Sequence, residues 1–185
     1  MIKLLSFLPS SLTKRLVHAA ALMRNPYCVG VRVLVIGKPL ETGVGDPAGL
    51  TSAASPEPCE SVLLVRHSYL PGWYLPGGGV DRGESMQAAA RRELTEETGI
   101  VAEGTLRLLG AYLNRQGLGR DHVGLFLLRD WTKGEGYLQP NAEISEAAFF
   151  PLNALPADVS PATARRLQDW MEKGEGMAAQ DEGYW

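Results

Sequence analysis

The segment from Pro76 to Ile100, PGGGVDRGESMQAAARRELTEETGI, predicts a glycine-rich turn that leads into an amphipathic helix. The helix is expected from about Glu84 to Thr98, and Gly99 is a typical residue to end it. Apolar side chains recur along one side of this helix at helical spacing, namely Met86, Ala89, Ala90 and Leu94. The pattern therefore predicts a helix that packs one face against a core.

Three glutamates share another face of the same helix. Glu93, Glu96 and Glu97 are at positions i, i+3 and i+4, so a helix brings their Cβ atoms to about 5–6 Å from one another. Like charges at this spacing destabilise a helix by a few tenths of a kcal/mol per pair, which favours a compensating cation nearby. The alternative is a solvated surface that Arg91 and Arg92 neutralise in part.

The preceding turn favours a bound divalent cation. Gly77, Gly78 and Gly79 lack a Cβ, so their backbone carbonyls and amides can approach a ligand closely. Carboxylate and backbone oxygens, together with water and substrate phosphates, are the ligands that Mg²⁺ and Mn²⁺ prefer. The glycine turn and the helix that carries the carboxylates together predict a site for metal-assisted diphosphate chemistry. The sequence has no GxxxxGK[ST] motif, which excludes a phosphate-binding loop of that type.

The stretch from Gly78 to Ile100 resembles the Nudix box, G-x5-E-x7-R-E-U-x-E-E-x-G-U, in which U is aliphatic. The match holds at every defined position: Gly78, Glu84, Arg92, Glu93, Leu94, Glu96, Glu97, Gly99 and Ile100. The similarity extends from about Val29 to Leu167. It implies an α/β fold, an α/β/α sandwich with a mixed β-sheet. It also implies hydrolysis of a nucleoside diphosphate linked to another moiety, X, by attack of water at phosphorus.

The same resemblance implies roles for individual residues. The ligands of Mg²⁺ or Mn²⁺ would be three glutamates and one backbone carbonyl, namely Glu93, Glu96, Glu97 and either Gly77 or Gly78. Arg92 would orient the glutamates through charge-assisted hydrogen bonds. Glu84 would support the first turn of the helix or bind a second ion.

The general base has two possible locations in this family, the box itself or the loop before the last strand. Glu143, six residues before Phe149, fits the loop position best, and Glu146 is the second choice. Within the box, Glu93 or Glu96 would be the candidate. The alternative for Glu143 is that it is an ordinary loop carboxylate.

Several basic and aromatic side chains could contact a phosphate or the X group: Arg66, His67, Trp73, Tyr74, Arg115, Arg120 and His122. Each is also explained as ordinary surface or, for the two aromatic residues, as packing. Residues 101–121 contain no proline, so a mark of many ADP-ribose pyrophosphatases is missing. The identity of X stays open.

Composition limits the class of protein. The 185 residues are 45% hydrophobic and 21% charged, which is typical of a soluble globular domain. A net charge of -3 provides no basic field for nucleic acid. Cys28 and Cys59 have neither zinc-site nor C-x-x-C spacing, which indicates reduced thiols and a cytoplasmic location.

Three regions are predicted along the chain. Residues 1–27 form an extra N-terminal amphipathic helical segment, which packs on the domain, on a partner subunit of a homodimer or on a membrane surface. Pro9 and the Lys14–Arg15 pair interrupt its apolar runs, so stable membrane insertion is not expected. Residues 28–173 form the Nudix domain, with 38–59 as a flexible inserted loop, and 174–185 form a flexible tail.

Within the domain, five strands and a closing helix are expected. The strands are Val29 to Gly37, Ser61 to His67, Thr105 to Asn114, His122 to Asp130 and Glu146 to Leu152. The segment from Trp131 to Glu143 is expected to be a loop. Ser160 and Pro161 predict the start of the closing helix, with Ser160 as its cap.

A Nudix domain can also act as a ligand-sensing or scaffold module without hydrolysis. Such domains commonly lose box glutamates, whereas this sequence keeps all four. The isomerase branch of the superfamily needs a catalytic cysteine and a modified box, and neither Cys28 nor Cys59 fits that requirement. The sequence therefore favours a hydrolase.

Overall fold

The computed structural model describes residues 29–37, 60–114, 121–176 and 185. Its elements are β1 (Val29–Gly37), β2 (Ser61–His67), α1 (Met86–Thr98), β3 (Ile100–Ala102), β4 (Arg107–Asn114), β5 (Asp121–Leu128), β6 (Trp131–Lys133), β7 (Ile144–Pro151), α2 (Pro161–Lys173) and a 3-10 turn (Gly174–Gly176). The predicted N-terminal segment 1–27, the loop 38–59 and residues 177–184 of the tail lie outside the described residues. Arg115 and Arg120 also lie outside them.

Five strands form one mixed sheet in the order β4-β5-β1-β2-β7. β1 is parallel to β5, with Val33 opposite Phe126, and the other neighbouring strands are antiparallel. β3 and β6 form a separate two-stranded sheet. The expectation of a loop from Trp131 onwards was therefore wrong for Trp131–Lys133, which pair with Ile100–Ala102.

Each face of the main sheet is covered by one helix. Successive side chains of a β-strand point to opposite faces of the sheet, so β1 contributes to the core on both sides. The face towards α1 buries Val31, Val33, Val35, Leu63, Ala89, Ala90 and Leu94. The face towards α2 buries Leu34, Ile36, Val62, Leu64, Leu125, Leu167 and Trp170. This arrangement confirms the α/β/α sandwich.

Trp185 returns to the core on the α2 side. Its ring is partly buried against that cluster and lies 6.0 Å from the ring of Tyr112, centroid to centroid. Its backbone N–H donates to the carbonyl of Leu113 at 3.0 Å. This end of the predicted flexible tail is thus packed against β4.

The ends of α1 follow the local sequence. The hydroxyl of Ser85 accepts a hydrogen bond from the backbone N–H of Ala88 at 3.1 Å, so Ser85 is the N-cap. Gly99 adopts φ 66°, and its N–H donates to the carbonyl of Thr95. The helix begins two residues after the expected Glu84, whose carboxylate instead accepts from the backbone N–H of Asp81 at 3.0 Å.

We expect Gly99→Ala to destabilise the fold more than Gly136→Ala. Both glycines have positive φ, 66° and 68°, which costs an alanine about 1–2 kcal/mol. A Cβ at Gly99 would also overlap the carbonyl oxygen of Glu135 and lie 2.6 Å from the amide nitrogen of Tyr137, whereas a Cβ at Gly136 meets no atom of the described residues within 4 Å. Urea unfolding measures both losses of free energy. Equal losses would show that the segment around Glu135 moves aside without cost.

Candidate active site

The glycine turn lies against β1. The N–H of Val31 donates to the carbonyl of Gly78 at 2.9 Å, and the N–H of Val33 donates to the carbonyl of Pro76 at 2.9 Å. A Cβ at Gly78 would lie 2.6 Å from the carboxylate of Glu93. A side chain at Gly78 would therefore displace the Glu93 carboxylate, whereas glycine leaves it in place.

Arg92 lies among three of the box glutamates. Its Nε and Nη2 donate to the two carboxylate oxygens of Glu84, each at 3.0 Å. Its Nη1 donates to Glu93 at 2.8 Å and to Glu96 at 3.1 Å, and Nη2 also donates to the carbonyl of Gly79. The hydrogen bonds from Arg92 lower the pKa of Glu84. In this structure, Arg92 is the cation that compensates these carboxylates.

Glu97 differs from its neighbours because it is buried, with 4% of its surface exposed. One carboxylate oxygen accepts from the N–H of Gly77 at 2.7 Å, and the other lies 3.9 Å from Nδ1 of His67. Burial raises the pKa of Glu97 to about 7, and the charges of Glu93 and Glu143 add to this effect. The hydrogen bond from Gly77 and the charge of Arg32 act in the opposite direction.

Arg32 belongs to the site, although it lies outside the sequence motif. Its Nη1 donates to the carbonyl of Leu75 at 3.0 Å and also to the carbonyl of Gly77. Burial lowers the pKa of Arg32, and the facing carboxylates of Glu97 and Glu93 raise it. One signal could have found it, because Arg32 is the only charged residue in VGVRVLVIG, and a charge in a buried strand needs partners.

The loop before β7 brings Glu143 towards Glu97. The carbonyl of Glu143 accepts from the backbone N–H of Ser68 at 2.8 Å, and its side chain is exposed. Its charge acts on both Glu97 and His67. Glu146 lies further along, on β7 opposite Arg66, and forms an ion pair with it at 3.8 Å.

Arg66 and Trp73 form a separate cluster. The guanidinium of Arg66 lies 4.8 Å from the centre of the Trp73 ring and makes an ion pair with Asp158 at 3.0 Å. Trp73 is buried and packs edge-on against Phe150. Both residues thus take part in packing or ion pairing, and their contact with a substrate stays a prediction.

The other residues predicted to contact a substrate, where the structure describes them, lie in different parts of the fold. His67 is buried and lies beside Glu97, with Tyr74 at 5.4 Å between ring centroids. The hydroxyl of Tyr74 donates to the carbonyl of Pro71 at 2.9 Å. His122 lies exposed on β5. His67 is thus beside a box carboxylate, and Tyr74 is beside His67.

The donor atoms fit a divalent cation in their chemistry. Within the described residues, no three His, Cys, Asp or Glu side chains are arranged around one point, because Arg92 holds Glu93 and Glu96 while Glu97 bonds to Gly77. The donors are nevertheless hard oxygens. The negative charges of neighbouring carboxylates disfavour the ionised form of Glu97 and so raise its pKa. A divalent ion would relieve that repulsion and favour the ionised form of Glu97.

The stability of the metal-free protein should depend on the pKa of Glu97. The folded-state pKa of about 7 lies above the ordinary value of 4.5, so the folded state holds this proton more tightly than the unfolded state. The contribution is fully present below about pH 4.5 and is lost as pH rises through about 7. We expect the free energy of unfolding, measured in chelator, to fall over this window relative to Glu97→Gln. A constant difference between the two proteins would contradict the burial of this charge.

Fold and site together define a Nudix-type α/β/α sandwich. The family model described as NUDIX domain matches residues 54–171, and the chain belongs to this family. Within the described residues, no helix combines the length and apolar character needed to cross a membrane.

Two curated relatives show what the chain is similar to. An ADP-ribose pyrophosphatase of Methanocaldococcus jannaschii is 37% identical over 99 residues, which cover 51% of this chain and 57% of that protein. Diphosphoinositol polyphosphate phosphohydrolase 2 of Rattus norvegicus is 37% identical over 105 residues, which cover 51% of this chain and 58% of that protein. The matches thus span less than two thirds of either relative.

A solved structure shows the same fold. The MutT NUDIX hydrolase from Burkholderia pseudomallei superposes with a TM-score of 0.55 at 23% identity. The match covers 77% of this chain and 96% of that one. At this level of identity, the likeness concerns the fold alone.

Proposed function

We propose that the protein is a pyrophosphohydrolase that depends on Mg²⁺ or Mn²⁺. It cleaves the pyrophosphate bond of a nucleoside diphosphate linked to another moiety X. The observation that carries the proposal is the geometry at the glycine turn, where the buried carboxylate of Glu97 accepts from the N–H of Gly77 and the carboxylate of Glu93 lies against Gly78. A buried carboxylate beside a second one and a glycine turn favours a site that holds a divalent cation.

The residues that would hold the cation are Glu93, Glu96, Glu97 and a carbonyl of the glycine turn. The carbonyl of Gly77 accepts from Arg32, and that of Gly78 accepts from Val31. Each carbonyl oxygen has two lone pairs, so either can serve as a ligand in addition. When bound, the ion would neutralise the pyrophosphate and acidify a water molecule.

Residues of the chain would orient the metal ligands and accept the proton of the attacking water. Arg92 keeps Glu84, Glu93 and Glu96 in fixed orientations through its hydrogen bonds. Glu143 would accept the proton of the attacking water, because its exposed carboxylate is on the loop that faces Glu97. Glu146 is less suited to this role, since it is engaged with Arg66 on β7.

The names of the two curated relatives support the type of bond and leave X open. One name specifies a pyrophosphatase of ADP-ribose and the other a phosphohydrolase of diphosphoinositol polyphosphate. Both kinds of compound contain a diphosphate, but the attached groups differ. A cytoplasmic location and a homodimer also remain predictions from the sequence.

The proposal is tested with a panel of nucleoside diphosphate sugars, dinucleoside polyphosphates and nucleoside triphosphates, each with Mg²⁺ or Mn²⁺. We expect release of phosphate-containing products from at least one class, and loss of this release in chelator. The alternative is a ligand-sensing or scaffold module. That reading would be favoured by panel members that raise the melting temperature but are not cleaved with either metal.

A further inference from the structure

Asn141 links the loop that carries Glu143 to the end of helix α1. Its side-chain Nδ2 donates to the carbonyl of Glu96 at 3.0 Å and to the carbonyl of Glu97 at 3.3 Å. Its Oδ1 accepts from the N–H of Glu143 at 2.9 Å and from the N–H of Ile144 at 2.8 Å. An amide side chain has two donor hydrogens and one oxygen with two lone pairs, so Asn141 uses its whole capacity here.

The helix end explains two of these contacts. The last four carbonyls of a helix have no partner within it. The carbonyl of Thr95 accepts from Gly99, and that of Thr98 accepts from Leu138. The two carbonyls between them, on Glu96 and Glu97, accept from Asn141. The same side chain therefore completes the end of α1 and determines where the loop begins.

The other side of the loop is fixed by Ser68, the residue that follows β2. The backbone N–H of Ser68 donates to the carbonyl of Glu143 at 2.8 Å, and its hydroxyl donates to the carbonyl of Ala142 at 3.2 Å. The backbone of Glu143 is thus held on both sides, although its carboxylate is exposed. The position of that carboxylate depends on its backbone, and hence on Asn141.

We propose that Asn141 is a positioning residue that fixes the Glu143 carboxylate relative to the carboxylates of α1. The inference rests on the proposed function, because it requires Glu143 to act on the attacking water. Aspartate could not replace Asn141. It could still accept from Glu143 and Ile144, but it could not donate to the helix carbonyls, and its charge would lie at the negative end of the helix dipole.

The test compares Asn141→Asp with the control Asn153→Asp, which makes the same change at an exposed position that follows β7. For Asn141→Asp we expect kcat to fall by up to about 100-fold, the loss that follows from displacing a reacting group by about 1 Å. KM and the rise in melting temperature caused by Mg²⁺ should stay near wild-type values. Asn153→Asp should keep wild-type kcat.

Amide hydrogen exchange distinguishes loss of the bonds between Asn141 and the helix from loss of the loop's own structure. In Asn141→Asp, the amides of Glu143 and Ile144 should stay protected, because the acceptor oxygen remains. In Asn141→Ala they should exchange faster, since donor and acceptor are both removed. Asn141→Ala also repeats the kinetic test without a charge at the helix end, in case the aspartate variant does not fold.

The combination with Glu143→Gln distinguishes the two proposals. If Asn141 acts through Glu143, Asn141→Asp should cause little further loss in the Glu143→Gln background. An equal loss in both backgrounds would overturn the role of Asn141. The role would also be overturned if both Asn141 variants kept wild-type kcat while Glu143→Gln lowered it. Absence of any turnover by the wild-type protein would instead refute the proposed function, and the role of Asn141 with it.

Discussion

Glu97→Gln should abolish metal-dependent turnover and leave the metal-free protein at least as stable as the wild type. The substituted amide has almost the same volume and can still accept the hydrogen bond from Gly77. It removes a buried charge whose ionisation is opposed by burial and by Glu93 and Glu143. A lost metal ligand costs several kcal/mol of transition-state stabilisation, which corresponds to a rate loss of at least about 10³-fold.

Two measurements check this result. Saturating Mg²⁺ at a hundredfold excess over Kd should stabilise the wild type by about 2.7 kcal/mol, and most of this shift should disappear in Glu97→Gln. Glu172→Gln is the matched control, because it makes the same change on the exposed surface of α2, across the sheet from α1. A Glu97→Gln protein that keeps both the shift and wild-type turnover would refute the metal site.

The sequence predicted those parts of the molecule that depend on neighbouring residues. The helix from Met86 to Thr98 is determined by a cap at Ser85, a left-handed Gly99 and an apolar stripe, all within fifteen positions. The β-branched run of β1 likewise predicts a strand without reference to the rest of the chain. The mixed sheet between two helices came from the resemblance, and the structure confirms it.

The parts that the sequence did not predict depend on distant contacts. Helical spacing made Glu93, Glu96 and Glu97 look equivalent, because periodicity describes one helix and not what packs over it. The structure separates them, since the glycine turn and His67 bury Glu97 while Glu96 stays exposed. Arg32 contacts a carbonyl 45 positions away, and no local pattern encodes such a pairing.

The short strand β6 shows the same limitation. WTKGEGYLQPNAE is rich in turn residues, which indicates a loop. Residues 131–133 become a strand because β3 offers them an unpaired edge, with Ile100 opposite Lys133. Asn141 lies in the same segment, and no local pattern indicates its contacts with the end of α1.

Glu143→Gln is expected to lower kcat by about 10²–10⁴-fold, the usual contribution of a general base. Its carboxylate is exposed and its backbone is held by Asn141 and Ser68, so the substitution should not disturb the fold. It is also outside the proposed set of metal ligands. KM and the Mg²⁺ concentration that gives half-maximal rate should therefore change little, in contrast to the effect of Glu97→Gln.

Glu146→Gln is the matched control for the choice of base. Glu146 is an exposed glutamate three positions further on, and its ion pair with Arg66 at 3.8 Å is of a kind that contributes little at a surface. We expect Glu146→Gln to keep kcat within a factor of a few of wild type. A collapse of kcat in Glu146→Gln with normal turnover in Glu143→Gln would mean that the base is the other loop glutamate. Normal turnover in both variants would indicate that the base is a glutamate of the box, Glu93 or Glu96. The position of the Glu143 loop would then have no bearing on the rate.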